Sequence, residues 1–181
     1  MRVLALVGSP RVDGNTDMLV EELLQGARAS NHDCQKLYLY HYDILPCLDC
    51  RRCKQGSFVC SLKDEMDELY PLLEAADLIV FGTPVYWYGP TGKMKLFIDR
   101  LRPFIASKRL KGKAGLLVSP SEEGAEGCRP LVEMFRSSLD YLEMEFAGSL
   151  LAKAYEKGEV AASHDDMQRA YRLGTVLQSL L

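Results

Sequence analysis

No apolar run in this chain approaches the roughly 18 residues that a bilayer-spanning helix requires, so the sequence offers no transmembrane segment. Neither charge sign is in excess. Lys and Arg number 22 against 25 Asp and Glu, and a net charge of −3 argues against a broad basic surface for nucleic acid or anionic lipid. Histidine is scarce: His32, His41 and His164 form no spaced pair with a carboxylate. No Ser-His-Asp arrangement or paired-carboxylate motif stands out either, so hydrolytic chemistry has no visible machinery. Also absent are G-x-G-x-x-G, which excludes the Rossmann dinucleotide signature, and G-x-x-x-x-G-K-[ST], the signature of nucleotide-hydrolysing P-loops. The opening MRVLALVGSP enters a strand pattern at once and lacks the plan of a signal peptide, so a cytoplasmic location is expected. There is no internal repeat or low-complexity tract, and 181 residues is about one domain.

Cysteine, by contrast, is plentiful and concentrated. Cys47, Cys50, Cys53 and Cys60 fall within fourteen residues, in the run PCLDCRRCKQGSFVC. In a reducing compartment such a cluster points to metal or catalysis rather than to disulfides. The spacing C-x2-C-x2-C-x6-C lets three thiolates cap one side of a metal centre while the fourth closes the other. Three readings stand. A [4Fe–4S] cluster matches the ferredoxin-type C-x2-C-x2-C core, with the fourth cysteine after six residues and no proline behind it. Zinc also accepts four cysteines, though usually from two separated C-x2-C pairs. The third reading leaves the thiols empty or oxidised. Arg51, Arg52 and Lys54 would offset the charge of a thiolate-ligated cluster. Cys34, at the start of a strand, and Cys128, at the start of a helix, read as parts of the fold.

Around this loop, set at about residues 43–61, the chain alternates strands and helices as a single domain over 1–181. Val3–Val7, Leu78–Phe81 and Ala114–Ser119 are short apolar runs of the kind buried on both faces. Further strands are expected at Lys36–Tyr40 and near Phe146–Leu151. Helical spacing places Leu19, Val20, Leu23, Leu24 and Ala27 on one face of a helix starting near Thr16. Other helices are expected around Met66–Leu73, where Pro71 should bend or shorten the element, at Lys93–Phe104 and at Pro130–Tyr141. A last helix is capped by Ser163 with Asp166 three residues on. Five strands alternating with helices argue for a three-layer α/β sandwich whose ligands bind at the carboxyl ends of the strands. The loops 8–16, 82–92 and 119–128 occupy those positions.

The first of these, GSPRVDGNT, joins a strand to a helix N-terminus. Free backbone N–H groups and the helix dipole suit an anion there. Ser9, Asn15 and Thr16 add neutral donors, and Arg11 adds a planar fork for phosphate oxygens. Asp13 is awkward beside an anion and is expected to face solvent. The alternative is an ordinary polar turn. The second loop holds Tyr86, Trp87 and Tyr88 between Pro84 and Gly89-Pro90, flat walls suited to a heterocycle, a dimer contact or ordinary packing. Asp99-Arg100 reads as a structural salt-bridge or capping pair.

GSPRVDGNT, then GTPVYWYGPTGKMKLFIDR, then the Ser119-Pro120-Ser121…Gly124 loop together resemble the NADPH-dependent FMN reductase group of flavodoxin-like proteins, over residues 1 to about 160. The cysteine run makes the chain similar to the iron–sulfur flavoproteins within that group. The resemblance implies a five-stranded parallel sheet of order 2-1-3-4-5. It implies FMN phosphate at Ser9, Arg11, Gly14, Asn15 and Thr16, and the isoalloxazine ring framed by Pro84, Val85, Tyr86 and Trp87, with Tyr88 and Gly89 completing that loop. Ser119 and Gly124 would lie beside the flavin. It also implies a homodimer or homotetramer with flavin sites near the interface. The expected function is electron transfer between a [4Fe–4S] cluster and FMN, the cluster's four ligands being Cys47, Cys50, Cys53 and Cys60. A ferredoxin-type donor and a small-molecule acceptor are expected partners, with Arg51, Arg52, Lys54 and Lys63 as a basic patch that steers an acidic carrier. The competing readings are an NAD(P)H-dependent FMN or quinone reductase without a working cluster, and a zinc-stabilised binding protein.

Overall fold

The apolar runs are strands because both of their faces are covered. In a computed structural model that describes residues 1–180, β1 (Arg2–Val7) sends Leu4 and Leu6 to one side and Val3, Ala5 and Val7 to the other, as the period of two dictates. Its neighbours are β2 (Asp33–Tyr38), β3 (Leu78–Gly82), β4 (Ala114–Ser121) and β5 (Glu145–Lys153). All pair in parallel, in the order β2-β1-β3-β4-β5. One face is covered by α1 (Asn15–Ala29) and α6 (His164–Thr175), whose Leu19, Val20, Leu23 and Ala170 are fully buried. The other is covered by α2 (Met66–Ala75), α3 (Gly92–Asp99) and α5 (Arg129–Tyr141) through Leu69, Phe97 and Phe135. The result is a flavodoxin-like three-layer sandwich of the expected strand order. The two helices of the first face touch backbone to backbone: a Cβ on Gly26 would lie 2.0 Å from the Tyr171 carbonyl oxygen.

Three expectations shift. The second strand begins at Asp33 rather than Lys36, because β1 offers ladder partners from Arg2 onward and Asp33 N–H donates to Met1 O. It ends at Tyr38, where Leu39–His41 turns into a 3-10 segment that buries Leu39 in the core. The helix expected over 93–104 is two helices, α3 and α4 (Pro103–Ser107), since Pro103 lacks an N–H to continue α3 and takes the first position of the next. Pro71 lies inside the ten-residue α2 without ending it. Ser163 caps α6 as expected, accepting from Asp166 N–H and donating to the Asp166 carboxylate.

The strand ends place the functional loops side by side. Gly8 N–H donates to Gly82 O, Thr83 N–H to Val118 O and Ala154 N–H to Ser121 O, stitching four loops along one carboxyl edge. Thr91 ties the start of α3 to the same edge: its hydroxyl donates to Gly8 O and accepts from Met94 N–H. Gly8 is required there, because a Cβ would lie 2.8 Å from the Cβ of Met94. No helix among the described residues is long and apolar enough to cross a membrane.

Candidate functional site

A cavity opens at this edge between the β1–α1 loop, the β3–α3 loop and the segments after β4 and β5. Seven sequence-predicted residues line it: Ser9, Arg11, Asn15, Thr16, Pro84, Val85 and Tyr86. Pro120, Ser121, Glu122, Ala154 and Tyr155 complete the walls. The α1 N-terminus supplies its floor, where the first-turn N–H groups have no intrahelical acceptor. Gly14 is the N-cap, and its N–H donates to Arg11 O. Asp13 turns with φ +55, and its backbone N–H donates to the buried carboxylate of Asp17. Asp17 in turn accepts from Tyr38 OH at 2.9 Å and Lys36 Nζ at 3.0 Å. The β1–α1 loop is therefore pinned to β2, and Asp13 itself stays exposed as expected.

The Asn15 side chain has a different task from the one its position suggested. Its amide donates to Glu156 O at 2.8 Å and its carbonyl accepts from Val160 N–H at 3.1 Å, bracing the segment after β5. That segment brings in Tyr155, whose carbonyl oxygen lies 3.5 Å from Arg11 Nη1. No local motif marks residues 154–160 in the sequence; only the sheet order places them here.

Other predicted residues lie outside the cavity walls. Ser119 is fully buried with its hydroxyl unpartnered, while Gly124, at φ +64, accepts at its carbonyl from Ser121 Oγ. Tyr86 and Gly89 exchange both backbone hydrogen bonds, at 2.8 and 3.0 Å, around Trp87 and Tyr88. Both central residues have positive φ, +51 and +62, the geometry of a type I′ turn that ordinarily selects Asn-Gly. Trp87 is consequently 97% exposed at the tip.

The four clustered cysteines surround a second cavity, shared with Asp99, Arg100, Arg102 and Pro103. The loop turns through Asp49, Arg51 and Phe58, all at positive φ, and through a 3-10 segment at Arg52–Lys54. The Ser61 hydroxyl, 3.2 Å from Cys50 Sγ, and the Arg52 backbone hold the Cys50 thiol below its usual pKa. Burial pushes Cys53 up, reinforced by neighbouring Cys60 and Cys47. Among the described residues no group of three or more candidate ligands is drawn together for a metal ion. The donor set nonetheless suits a thiolate-ligated centre: four free thiols line one cavity together with the buried Arg100 and the half-buried Arg102.

Arg100 organises this loop, and the expected Asp99–Arg100 pair does not form. Asp99 accepts from Lys95 at 2.7 Å, whereas the buried Arg100 makes a two-pronged ion pair with Asp64 and donates to Leu45 O at 2.8 Å. Asp64 also accepts from Leu45 N–H and Met66 N–H. Leu45 and Asp64 flank the cysteine run, so one ion pair closes both ends of the loop. Burial alone would raise the Asp64 pKa, but Arg100 and the two backbone N–H groups hold it below its ordinary value. The Tyr70 hydroxyl donates to Arg100 O at 2.9 Å, and its pKa is raised by burial and then by Cys60 nearby.

The family model for NADPH-dependent FMN reductase matches residues 1–156. A protein named as an NAD(P)H-dependent FMN-containing oxidoreductase in Bacillus subtilis is 29% identical over 96% of both chains. An iron–sulfur flavoprotein of Methanocaldococcus jannaschii is 33% identical, the match covering 70% of this chain and 66% of that one. Another, from Archaeoglobus fulgidus, is 34% identical over 64% of this chain and 52% of its own. The chain thus spans two thirds or less of those two iron–sulfur relatives. Among solved structures, the Trp repressor binding protein of Bacillus subtilis superposes with a TM-score of 0.72 at 26% identity, covering 96% of this chain and 98% of that one.

Proposed function

The chain belongs to the NADPH-dependent FMN reductase family, and from that premise we propose an FMN-dependent oxidoreductase that exchanges electrons with a [4Fe–4S] centre on its cysteine loop. The observation that carries the flavin half is the single cavity uniting a helix N-terminus and Arg11 with the Pro84–Tyr86 wall. FMN would supply chemistry that accepts or gives one or two electrons, which none of the side chains here can do alone. Ser9, Arg11, the N–H groups of Asn15 and Thr16 and the α1 dipole would hold its phosphate. Pro84, Val85 and Tyr86 would form the flat wall, and Tyr155, beside Arg11, would border the phosphate end.

The cluster half is supported by four thiols around one cavity and by the likeness of the chain to proteins named as iron–sulfur flavoproteins. Cys47, Cys50, Cys53 and Cys60 would be the ligands. The helix α3 links the two cavities: Thr91 at its start bonds the β1–α1 loop, and Arg100 at its end lines the cysteine cavity. The eight-residue helix itself is about 12 Å long along its axis. A one-electron carrier of ferredoxin type is the proposed donor, with a small oxidant as acceptor and a homodimer or homotetramer as the assembly. Metal analysis of Cys47→Ala/Cys50→Ala against the wild-type chain after anaerobic purification tests the assignment: iron and sulfide should vanish while FMN stays.

A second reading is favoured by the absence, among the described residues, of three gathered ligands. It is a direct NAD(P)H-dependent FMN reductase whose cysteines carry no cluster. Flavin bleaching by NADPH at the same rate in wild type and in the double cysteine variant would select it.

A further inference from the structure

Two of the four buried side-chain polar atoms without a partner in the described molecule are Arg100 Nε and Arg102 Nε. Both residues line the cavity that the four cysteines surround. They project from the bend between α3 and α4, some forty to fifty residues beyond the thiols in sequence. A buried N–H without an acceptor costs about 1–3 kcal/mol, so two on one cavity are an anomaly to be explained. Each guanidinium is otherwise occupied at its outer nitrogens: Arg100 by Asp64 and Leu45 O, Arg102 by Asp49 at 2.8 Å. Those pairings fix the orientation of the planar groups and leave the Nε–H as the free donor. Thiolate and inorganic sulfur are the acceptors that a filled cavity would bring.

Taking the cluster reading above as its basis, we propose that Arg100 and Arg102 are positioning donors to the iron–sulfur centre, which hydrogen-bond its sulfurs through Nε–H and raise its reduction potential. Reduction adds one electron and no proton, so the reduced centre is more negative and its sulfurs are better acceptors. Hydrogen bonds to sulfur therefore favour the reduced form. Asp64 balances the Arg100 charge, whereas Asp49 is shared between Arg102 and Arg51, so the charge-conserving Arg100 substitution is the one that isolates the directed N–H bond from net charge. Arg100 also feels Cys60: burial opposes its charge, but Asp64, Tyr70 and Cys60 hold its pKa above normal. Of the basic residues within the loop, Arg51 also borders the cavity, whereas Arg52 and Lys54 do not line it. Arg51 and Arg52 are exposed, and Arg51 pairs with Asp49.

The test uses the full chain, anaerobically purified or reconstituted with iron and sulfide, in wild-type, Arg102→Gln and Arg100→Lys forms. Arg100→Lys keeps the charge facing Asp64 and removes the Nε–H. Dithionite titration followed by electron paramagnetic resonance gives the cluster potential, and the flavin absorbance in the same sample gives an internal control. Each variant should show about a tenfold weaker reduction equilibrium, equal to about 59 mV more negative for one electron, with the flavin potential unmoved. Cluster potentials that coincide with wild type overturn the proposal. A measurement independent of any variant is electron spin-echo spectroscopy of the reduced wild-type centre carrying ¹⁵N only in arginine. A ¹⁵N coupling supports the proposal, and its absence overturns it. A wild-type chain that takes up no iron overturns the cluster reading itself, and this inference with it, before either potential is compared.

Discussion

Arg11 and Asp64 do opposite things with a charge. Arg11 is exposed at the cavity mouth, with one guanidinium nitrogen 3.5 Å from a carbonyl, so most of its donors remain available to an anion. A charge-assisted hydrogen bond contributes about 1.5–3 kcal/mol, so Arg11→Ala should weaken FMN binding by roughly ten- to a hundredfold in a fluorescence-quenching titration, without changing Tm. An unchanged affinity contradicts the placement of the phosphate. Asp64 is buried against Arg100, and removing its charge strands a buried cation. Asp64→Asn should lower stability by about 3–5 kcal/mol in urea unfolding. The same carboxylate gives a pH dependence. Its folded pKa lies below the ordinary 3.8, so its stabilising contribution is present above that value and is lost as pH falls through the folded one. Amide-exchange protection at Leu45 and Met66, which donate to Asp64, should hold above the ordinary carboxylate value of 3.8 and be lost only as pH falls below it. Collapse at neutral pH would contradict this assignment.

At the scale of elements, the Trp87-Tyr88 turn is the least expected feature. Left-handed backbone costs a residue with a Cβ roughly 1–2 kcal/mol, and here two large aromatics adopt it in succession. Tyr88→Gly should therefore raise Tm, by an amount corresponding to about 1 kcal/mol. A lowered Tm would show instead that contacts of the tip hold it in place. The tip was legible as an aromatic cluster, but not as a turn, because nothing in TPVYWYGP resembles the Asn-Gly that this geometry prefers. The sheet was far more legible. Val3–Val7, Leu78–Phe81 and Ala114–Ser119 are continuous apolar runs because helices cover both of their faces, and that pattern is local. The β1–α1 turn, whose Ser9, Arg11, Asn15 and Thr16 line the edge cavity, was legible for the same reason. What escaped was non-local: Asn15 serving the segment after β5, Ser119 turning into the core, and Arg100 reaching back to Asp64 rather than to its neighbour Asp99. Each is set by which strand lies beside which, information carried by the order β2-β1-β3-β4-β5 and not by any window of residues.

For the molecule as a whole, two cavities joined by one short helix define the account: a cradle at the carboxyl edge of the sheet and a thiol-lined chamber beside the α3–α4 bend. Arg52 and Lys54 are exposed on the cysteine loop, where the proposed acidic carrier would meet them. Arg52→Glu/Lys54→Glu should lower a ferredoxin-dependent rate and flatten its dependence on salt, leaving flavin content intact. A rate and salt slope equal to wild type would remove the steering role. The central claim is that both cavities are filled by redox groups. It is tested most directly by anaerobic purification followed by quantitation of flavin, iron, sulfide and zinc per chain. The account predicts one FMN with about four irons and four sulfides, the stoichiometry of a [4Fe–4S] centre. FMN without iron, or zinc in its place, would contradict it and leave a flavin reductase whose cysteine loop carries no electrons.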